Sequence, residues 1–311
     1  MSGEARRRTL VVGEDDAGAR LDLFLAPAAG SRSRAQRLID DGMVWVNGAV
    51  RRKRHAVSPG ERVEIREPPD RRARAGPAAP FRVAYEDKRL LVVDKPAGVV
   101  VHPARGHREG TLAQALAGVA GGGPEGRAGI VHRLDKDTSG LLVVARDEPT
   151  LRALQRMLAA REIVREYLAL VVGRPDARSG TIDAPLGRDR RRRTRVSVDS
   201  DVARPALTRF RIEEALGGTT LLRVTLQTGR THQIRAHLEA IGHPVAGDPE
   251  YGAAGALGLG RQFLHAARLA FDNPHGGMRV DVRSPLPEDL ADALARARAS
   301  GGGRGGTARE P

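Results

Sequence analysis

The sequence predicts an α+β protein with a mixed sheet, on the strength of three observations. The chain has 311 residues, which is enough for about two domains and a sizeable core. A Pro-, Ala- and Arg-rich stretch, EPPDRRARAGPAAP, carries no apolar periodicity and separates a small N-terminal module from a long remainder. In that remainder strands and helices alternate without the strict rhythm of repeated βαβ units, which argues against a doubly wound parallel sheet.

Composition also predicts where the domains begin and end. We predict a small α/β domain over residues 1–67, a linker over 68–80 and a large domain over 81–295. Residues 296–311 are rich in Gly and Arg and are expected to form a disordered tail. The sequence contains no internal repeat that would suggest a solenoid or a duplicated domain.

Each element of the N-terminal module has a local signal. LDLFLA is long enough for a helical turn or two, and SRSRAQRLIDDG predicts a helix with Ser31 or Ser33 as N-cap and Gly42 just after its end. The buried stripe of that helix is expected to be Ala35, Leu38 and Ile39. MVWVNGAV alternates apolar residues into an Asn-Gly turn, which is typical of a hairpin, and SPGERVEI adds a last strand.

The large domain mixes the two periodicities. YEDKRLLVVDKPAGVVVHP predicts a strand, a loop and a short second strand, and GTLAQALAGVA predicts a helix capped by Thr111. GLLVVARD and EIVREYLALVVG are strands, EPTLRALQRMLAAR is a helix, and TLLRVTLQTGRTHQIRAHLEAIG is a strand, a turn and a helix. We expect this last helix to bury Ile234, Leu238 and Ile241 and to end at Gly242.

The charge balance indicates a polyanionic partner. Lys and Arg number 52 against 38 Asp and Glu, a net charge of +14; such an excess suits nucleic acid, although a chain rich in Ala, Gly and Arg can also reflect genome base bias. In the N-terminal module, basic residues recur at the start of one helix and just after one turn: Arg32, Arg34, Arg37, Arg51, Arg52, Lys53 and Arg54. Each alone is ordinarily a solvated charge, but together they predict a compact patch for phosphates.

Composition excludes several other classes of protein. The chain has no Cys, which removes disulfides, thiolate metal sites, iron–sulfur clusters and Cys nucleophiles and agrees with a reducing cytoplasm. The N-terminus lacks the apolar core of a signal peptide, and no stretch approaches the ~18 apolar residues of a membrane span. The histidines are scattered, with no carboxylates at zinc-ligand spacing. We therefore predict a soluble cytoplasmic protein with no metal site and no membrane association.

The segment HRLDKDTSG, residues 132–140, crowds two acids and two basic residues against the apolar run LLVVA. If the approach to that strand is extended, Arg133, Asp135 and Asp137 point to one side, because strand side chains alternate. A carboxylate beside a fixed guanidinium stays ionised at neutral pH, which is the state that a nucleophile or a base needs. Periodicity does not separate Asp135 from Asp137, and a surface turn with an Arg–Asp ion pair would explain this segment taken alone.

Two resemblances extend this interpretation. The pattern RLD, SRS, VNG and GERVEI, within about residues 18–66, resembles the S-four type of RNA-binding domain, which implies a helix–hairpin surface that grips structured RNA. The segments DKPAGVVVHP, HRLDKDTSGLLVVAR, REYLALVVG and LQTGRTHQIRAHLEAIGHPVAGDPEYG resemble, in this order, the ribosomal large-subunit pseudouridine synthase family. That resemblance implies a largely antiparallel sheet and isomerisation of uridine to pseudouridine in RNA, with large-subunit (23S) ribosomal RNA as the expected substrate and no cofactor.

The same resemblance implies roles for individual residues. The catalytic aspartate corresponds to Asp135, and Asp137 falls on a supporting position. Arg133 corresponds to an arginine that helps to hold the extruded nucleotide, Tyr167 to a tyrosine stacked on the target base, and Arg235 to an arginine paired with the catalytic carboxylate. A uridine inside folded RNA has to be flipped into a pocket, where an aromatic ring replaces stacking worth ~1–3 kcal/mol per base.

Several alternatives stay open at this point. Arg165 stands where many family members have Lys, and because the charge is kept we expect no change of function. Arg235 could instead form an i,i+4 pair with Glu239, worth only ~0.2–0.5 kcal/mol. Asp248 is expected to brace a loop, and the basic run at residues 188–195 is either disordered or a phosphate-binding loop. The competing functions are a non-catalytic RNA-binding or ribosome-assembly factor, an N-glycosidase and a transfer-RNA pseudouridine synthase. No protein partner is implied, and we expect a monomer.

Overall fold

The computed structural model describes residues 6–29, 32–67, 79–103, 109–123, 129–192 and 195–301. The chain divides into two compact units, Met1–Ala75 and Gly76–Pro311. The division lies within the predicted linker, of which residues 68–78 are outside the described part of the chain. Each unit has a sheet and an apolar core of its own.

The N-terminal unit is a four-stranded antiparallel sheet packed against short helices. Its strands are β1 Arg6–Val11, β2 Val44–Val46, β3 Ala49–Val50 and β4 Arg62–Glu67, and their order in the sheet is β1-β4-β2-β3. Its helices are α1 Leu21–Phe24, α2 Ala26–Ala29 and α3 Arg32–Asp40. The predicted hairpin joins β2 to β3, since Asn47 and Gly48 have φ of 48° and 79°, the left-handed pair that a two-residue hairpin turn requires.

Two features of this unit differ from the expectation. Ser33 lies inside α3 and is therefore not its N-cap, while Ser31 lies outside the described residues. Strand β1 was not predicted, because half of its six residues are arginines, yet it pairs along the whole of β4. The stripe of α3 is as expected, because Ala35 and Ile39 are buried and Leu38 packs against the same cluster.

Twelve strands in two sheets are found in the described residues of the larger unit. The strands are β5 Arg82–Glu86, β6 Leu90–Lys95, β7 Ser139–Ala145, β8 Val164–Val172, β9 Ser179–Asp183, β10 Leu186–Arg188, β11 Val196–Ser197, β12 Ala203–Arg204, β13 Leu207–Leu216, β14 Thr219–Leu226, β15 Leu264–Phe271 and β16 Val280–Arg283. Nine of them form one sheet in the order β5-β6-β7-β15-β8-β14-β13-β9, with β16 added beside β15. Only β7 and β15 run parallel in it, so the prediction of a mixed, largely antiparallel sheet is confirmed.

The remaining three strands, β10, β11 and β12, make a small separate sheet in the order β11-β10-β12. Four helices complete the unit: α4 Leu112–Ala115, α5 Glu148–Ala159, α6 Gln233–Ala240 and α7 Glu288–Gly301. As predicted, Thr111 caps α4, where it forms a capping box with Gln114. The short strand expected at VVV, residues 99–101, is absent, because the carbonyls of Val100 and Val101 accept hydrogen bonds from the first residues of α4.

The last two helices also differ from the expectation. Helix α6 buries Ile234 and Leu238 and is closed as expected by Gly242, which has φ of 81° just past the C-cap residue, but Ile241 is 38% exposed. Helix α7 runs to Gly301, six residues beyond the domain end predicted at residue 295, because Ala297 continues the buried stripe of the helix. Residues 302–311 of the predicted tail lie outside the described part of the chain.

The core of the larger unit covers both faces of its sheet. Alternate residues of β6 and β7 belong to two different apolar clusters, so these strands are apolar throughout rather than alternating. All seven residues of β7 are buried, which seats the segment before it against the centre of the sheet. Within the described ranges, none of the helices has the length and hydropathy needed to span a bilayer.

Candidate active site

The segment HRLDKDTSG ends in a turn, not in an extended approach to β7. The amide of Thr138 donates to the carbonyl of Asp135 at 3.2 Å, which closes a turn over Lys136 and Asp137. The extended approach that a shared side for Arg133, Asp135 and Asp137 required therefore stops before Asp137. Asp135 and Asp137 thus occupy different positions in the turn, a distinction that strand periodicity could not make.

Glycine is required directly after this turn. Gly140 has φ of 112°, and a Cβ there would lie 2.3 Å from the carbonyl oxygen of Ala266 on β15. This is the place where β7 and β15 pair in parallel, His265 opposite Ser139 and Ala266 opposite Gly140. The absence of a side chain lets the two central strands approach, and the turn that precedes Gly140 is held at their edge.

Three side chains from other parts of the chain hold the turn through its polar groups. The ammonium of Lys95 donates to the carbonyl of Lys136 at 2.9 Å, and Arg261 Nη1 donates to the carbonyl of Asp137 at 2.9 Å. Gln262 Nε2 donates to Thr138 Oγ1 at 3.2 Å. The turn is thus held at each of the three residues that follow Asp135, which restricts the direction of the Asp135 carboxylate.

Lys95 is a fully buried cation beneath the turn. Its ammonium also donates to the carbonyls of Pro96 and Val99, each at 2.9 Å. Burial lowers the pKa of Lys95 to about 7, against the opposing charges of Asp137 and Asp135. Lys95 was not among the predicted site residues, although DKPAG was one of the four segments that carried the resemblance.

Arg235 lies on α6 and is almost fully buried among carboxylates. Its Nε and Nη2 bind both oxygens of Asp248, at 2.6 and 2.9 Å, in a bidentate pair. Nη2 also reaches Glu250 at 3.1 Å, and Nη1 reaches Asp135 Oδ2 at 3.5 Å. Burial by itself would lower the pKa of the Arg235 guanidinium. The hydrogen bonds from Arg235 to Asp248 and the negative charges of Asp248, Asp135 and Glu250 outweigh that effect and raise the pKa above its usual value.

The structure resolves the alternative for Arg235. Glu239, the candidate i,i+4 partner, pairs with Arg195 at 2.7 Å. Arg235 does contact Asp135, as the resemblance implied, but its principal partner is Asp248. Asp248 also accepts the amides of Glu250 and Tyr251 at 2.9 and 3.2 Å, which is the predicted loop-bracing role. Sequence reasoning missed the second role because thirteen residues separate Asp248 from Arg235 and no local period connects them.

Tyr251 links this ion cluster to the basic run at residues 188–195. Its ring lies between two guanidinium groups, Arg235 at 4.8 Å and Arg195 at 4.3 Å from the ring centroid. Its hydroxyl donates to the carbonyl of Val196 on β11 at 2.8 Å. Burial raises the pKa of this hydroxyl above its usual range. Tyr251 was not predicted as a site residue either.

A cavity of about 640 Å³ opens beside the turn. It is lined by three of the predicted site residues, Arg133, Asp135 and Tyr167, and Arg235 reaches the cavity through its contact with Asp135. Arg133 is exposed, whereas Tyr167 on β8 is buried. Burial raises the pKa of the Tyr167 hydroxyl to about 12, and the charge of Asp135 acts in the same direction.

The carboxylate of Asp135 is the least engaged acid of this cluster. Among the described residues it receives one hydrogen bond, the long contact of 3.5 Å from Arg235. Asp248, by contrast, accepts four shorter ones and has no exposed side-chain surface. A buried, fully bonded carboxylate is a structural support, while a carboxylate with free lone pairs at a cavity can act on a ligand.

The basic residues of the N-terminal unit fall into two groups. Arg32 has a partner within the unit, because its Nε donates to the buried carboxylate of Asp22 at 3.1 Å. Hydrogen bonds from Arg20, and then from Gln36 and Arg32, hold the pKa of Asp22 below its usual range despite burial. This ion pair ties the Arg32 side chain to the body of the N-terminal unit. The segment after the hairpin is different. Arg51, Arg52 and Arg54 are exposed and form no ion pair with any residue that the structure describes, while Lys53 pairs with Asp40. The side chain of Arg37 lies outside the described part, and Arg34 is partly buried.

The described part of the basic run is ordered around Asp189. Asp189 accepts the amides of Arg191 and Arg192, and Arg190 pairs with Asp199 and Asp201 at 3.3 and 2.8 Å. A second cavity, of about 910 Å³, lies here and shares Arg230 and Thr231 with the first. Its other basic lining residues are Arg188, Arg190, Arg195 and Arg204. The described residues of the run are thus held by hydrogen bonds and ion pairs. In the ranges that the structure covers, no cluster of three His, Asp or Glu is arranged to hold a metal ion.

Comparison with known proteins identifies the family. The family description RNA pseudouridylate synthase matches residues 89–240, and the S4 domain matches residues 19–63. An uncharacterised RNA pseudouridine synthase of Bacillus subtilis is 40% identical, over 94% of this chain and 98% of its own. Ribosomal large subunit pseudouridine synthase D of Nitrosomonas europaea is 43% identical, over 93% of this chain and 87% of its own. Among solved structures, human RNA pseudouridylate synthase domain containing 1 is 25% identical with a TM-score of 0.54, covering 72% of this chain and 97% of its own. The chain matches RNA pseudouridine synthases over more than nine-tenths of its length, with an S4 domain ahead of the catalytic match, and it therefore belongs to the RNA pseudouridine synthase family.

Proposed function

We propose that this enzyme converts specific uridines of large-subunit (23S) ribosomal RNA to pseudouridine, with Asp135 as the catalytic carboxylate. The observation that carries the assignment of Asp135 is its place at the cavity beside Tyr167 with a single long hydrogen bond. Relatives named as ribosomal large subunit pseudouridine synthase D support the choice of substrate. The exposed basic segment of the N-terminal unit supports a structured RNA target.

Substrate binding begins with extrusion of the target nucleotide, because its glycosidic bond is inaccessible within folded RNA. Arg133 is exposed at the cavity, where its guanidinium can contact the backbone or stack in the space that the extruded base leaves. Tyr167 offers its ring to the base in the cavity. Stacking there replaces about 1–3 kcal/mol of lost base stacking.

Asp135 acts on the ribose in this proposal, as a nucleophile at C1′ or as a base at C2′. Arg235 commits its Nε and Nη2 to Asp248 and Glu250, so only Nη1 is directed to Asp135. The carboxylate is oriented by one contact and by the fixed turn, and it keeps lone pairs for the sugar. A guanidinium that bound both of its oxygens would hold the reactive carboxylate in the ground state.

The other parts of the chain have supporting roles. Residues 1–67, with the core at about 18–66, bind RNA, and Arg51, Arg52 and Arg54 are the side chains best placed to meet phosphates. The proposed working form of the enzyme is the monomer. The absence of Cys supports a cytoplasmic location, where ribosomal RNA is also found.

The deciding experiment maps pseudouridine in total RNA from cells with and without the gene and then restores the site with the purified protein. We expect one or a few positions in 23S ribosomal RNA to lose the modification and to regain it with the wild-type enzyme but not with Asp135→Asn. Loss confined to transfer RNA would reject the substrate. Release of free uracil would identify an N-glycosidase, and bound but unchanged RNA would identify an assembly factor.

A further inference from the structure

Arg165 is a buried cation without a counter-ion among the residues that the structure describes. It lies on β8, and only 6% of it is exposed. Its Nη2 donates weakly to the carbonyls of Leu226 and Thr228, at 3.3 and 3.5 Å, whereas its buried Nε has no hydrogen-bond partner in the described part of the chain. Among the described residues, no carboxylate lies within ion-pair distance of this guanidinium and no acceptor is bonded to its Nη1.

The other buried arginines of this unit behave differently. Arg235 and Arg261 are buried to a similar degree, and each has a bidentate carboxylate partner, Asp248 and Asp289. Burying an unpaired charge carries a large free-energy cost, so a fold retains one only where something else repays it. Arg165, which differs from the other two arginines in having no carboxylate partner among the described residues, is therefore expected to bind a ligand with negative charge.

The surroundings of Arg165 supply no such charge. His132 is a half-buried neighbour whose Nδ1 is buried, and desolvation together with the charge of Arg165 lowers its pKa to about 3, so it is neutral. Tyr167 is neutral as well, since its pKa is raised to about 12 by burial. Arg165 and Tyr167 both line the cavity and are two residues apart on one strand, so their side chains leave the same face about 6.6 Å apart. A base stacked on Tyr167 lies within reach of the guanidinium.

We propose that Arg165 binds the uracil base and stabilises the negative charge that it takes up when its bond to the ribose breaks. In that step the N1–C1′ bond breaks and its electron pair stays on the base, which becomes a uracil anion delocalised over N1, O2 and O4. The electron-deficient sugar is met by Asp135, which bonds to C1′ or removes the proton from C2′. After the base has turned, C5 bonds to C1′ while the bond from Asp135 to C1′ breaks, or while Asp135 returns the proton to C2′. The proton then leaves C5, and N1 gains one.

Arg165 neither gains nor loses a proton in this sequence. Its contribution is a fixed positive charge in a site from which the substrate excludes water, where electrostatic stabilisation is strongest. The same charge keeps the detached base from diffusing away while it turns. An arginine retains its proton even where burial lowers its pKa, so the cation is present throughout. This assignment rests on the proposed function, because it presumes that the glycosidic bond of a uridine is broken in this cavity.

The test compares Arg165→Met with Arg165→Lys in single-turnover reactions on a saturated RNA stem-loop. Removing one preorganised electrostatic donor ordinarily lowers the rate of the chemical step about 10²- to 10³-fold, and we expect a loss of that size for Arg165→Met with RNA binding unchanged within about threefold. Arg165→Lys keeps the charge and should stay within about tenfold of the wild type. The matched control is Arg283→Met, at an exposed arginine of β16 that does not line the cavity.

A second substrate separates charge stabilisation from a structural role. A stem-loop with 5-fluorouridine at the target position has a base that carries negative charge more readily. The factor by which Arg165→Met slows conversion of this N-linked nucleoside should therefore be at least about tenfold smaller than the factor measured with uridine. Thermal unfolding supplies a further readout. Removal of an unpaired buried charge should leave the unfolding temperature unchanged or raise it. If Arg165→Met does not fold, Arg165→Gln loses the same charge and retains a donor for the carbonyl of Leu226.

Each result decides the question. Equal losses on both substrates, or full activity of a charge-free variant, would overturn the assignment of Arg165. So would a lowered unfolding temperature with a parallel loss of RNA binding, because a structural role predicts both. An inactive wild-type enzyme on every uridine substrate would instead reject the proposed function itself.

Discussion

The structure predicts that Asp248→Asn lowers both the free energy of unfolding and the rate of the reaction. The carboxylate of Asp248 has no exposed side-chain surface and takes part in four hydrogen bonds, two from Arg235 and one each from the amides of Glu250 and Tyr251. Asparagine can keep the oxygen that accepts the amides, but its NH₂ group would face a guanidinium donor. Breaking a buried ion pair from one side costs about 3–5 kcal/mol. We expect about 3 kcal/mol here, at the low end, because Glu250 and Asp135 remain close to Arg235.

The same change should slow the chemistry. Without the charge of Asp248, the fork of Arg235 is free to turn toward Asp135 and bind it more tightly than the present contact of 3.5 Å. A carboxylate held in this way is more stable in the ground state and less available to the ribose. We expect a fall of about 10- to 100-fold in the single-turnover rate, which corresponds to about 1.4–2.7 kcal/mol of barrier.

The assay combines urea unfolding, followed by circular dichroism, with single-turnover pseudouridine formation at saturating enzyme. A loss of about 3 kcal/mol in a unit of this size lowers the unfolding temperature by about 6–12 °C. Glu250→Gln is the matched control, because Glu250 is 31% exposed and its pair with Arg235 should contribute less than about 1 kcal/mol. Unchanged stability and rate in Asp248→Asn, or an equal loss in Glu250→Gln, would refute the reasoning.

Four further outcomes are expected. Asp135→Asn should abolish detectable turnover with little loss of stability or RNA binding, whereas Asp137→Asn should lose only about tenfold, because its main-chain carbonyl holds the turn through Arg261; active Asp135→Asn or dead Asp137→Asn would contradict the assignment. Deleting residues 1–70 should spare a minimal stem-loop while flattening the salt dependence of binding to long RNA, and an unchanged slope would show that the module does not contact phosphates. The pKa of Lys95 is lowered to about 7 in the folded protein, so above pH 7 the unfolded chain holds a proton on Lys95 that the folded chain has lost. The unfolding free energy of the wild type should therefore rise relative to that of Lys95→Met, by up to ~1.4 kcal/mol per pH unit between pH 7 and 9. A difference that does not change with pH would exclude the lowered pKa. Exhaustive chelation should leave turnover on a stably folded stem-loop intact, and its loss there would reveal a metal requirement.

The sequence by itself determined the features that depend on neighbours along the chain. The Asn47-Gly48 hairpin, the Thr111 capping box and the buried strand after HRLDKDTSG each follow from a few consecutive residues whose conformational preferences agree. The family, the class of reaction and the identity of the candidate carboxylate came from motif segments long enough to be specific. Signals of this kind describe one turn or one strand at a time. They do not show which distant segment an element pairs with or packs against, and β1 and the end of α7 were missed for that reason.

Tertiary structure alone decided which of these residues meet. Arg235 lies 100 residues from Asp135 in sequence and 13 from Asp248, and no helical or strand period indicates that the second contact is the stronger one. The lack of a counter-ion at Arg165 is likewise visible only when all of its spatial neighbours are known. Burial and charge pairing depend on distance in space, which sequence periodicity does not encode, so the partners of each ionised group in the site are a property of the folded chain.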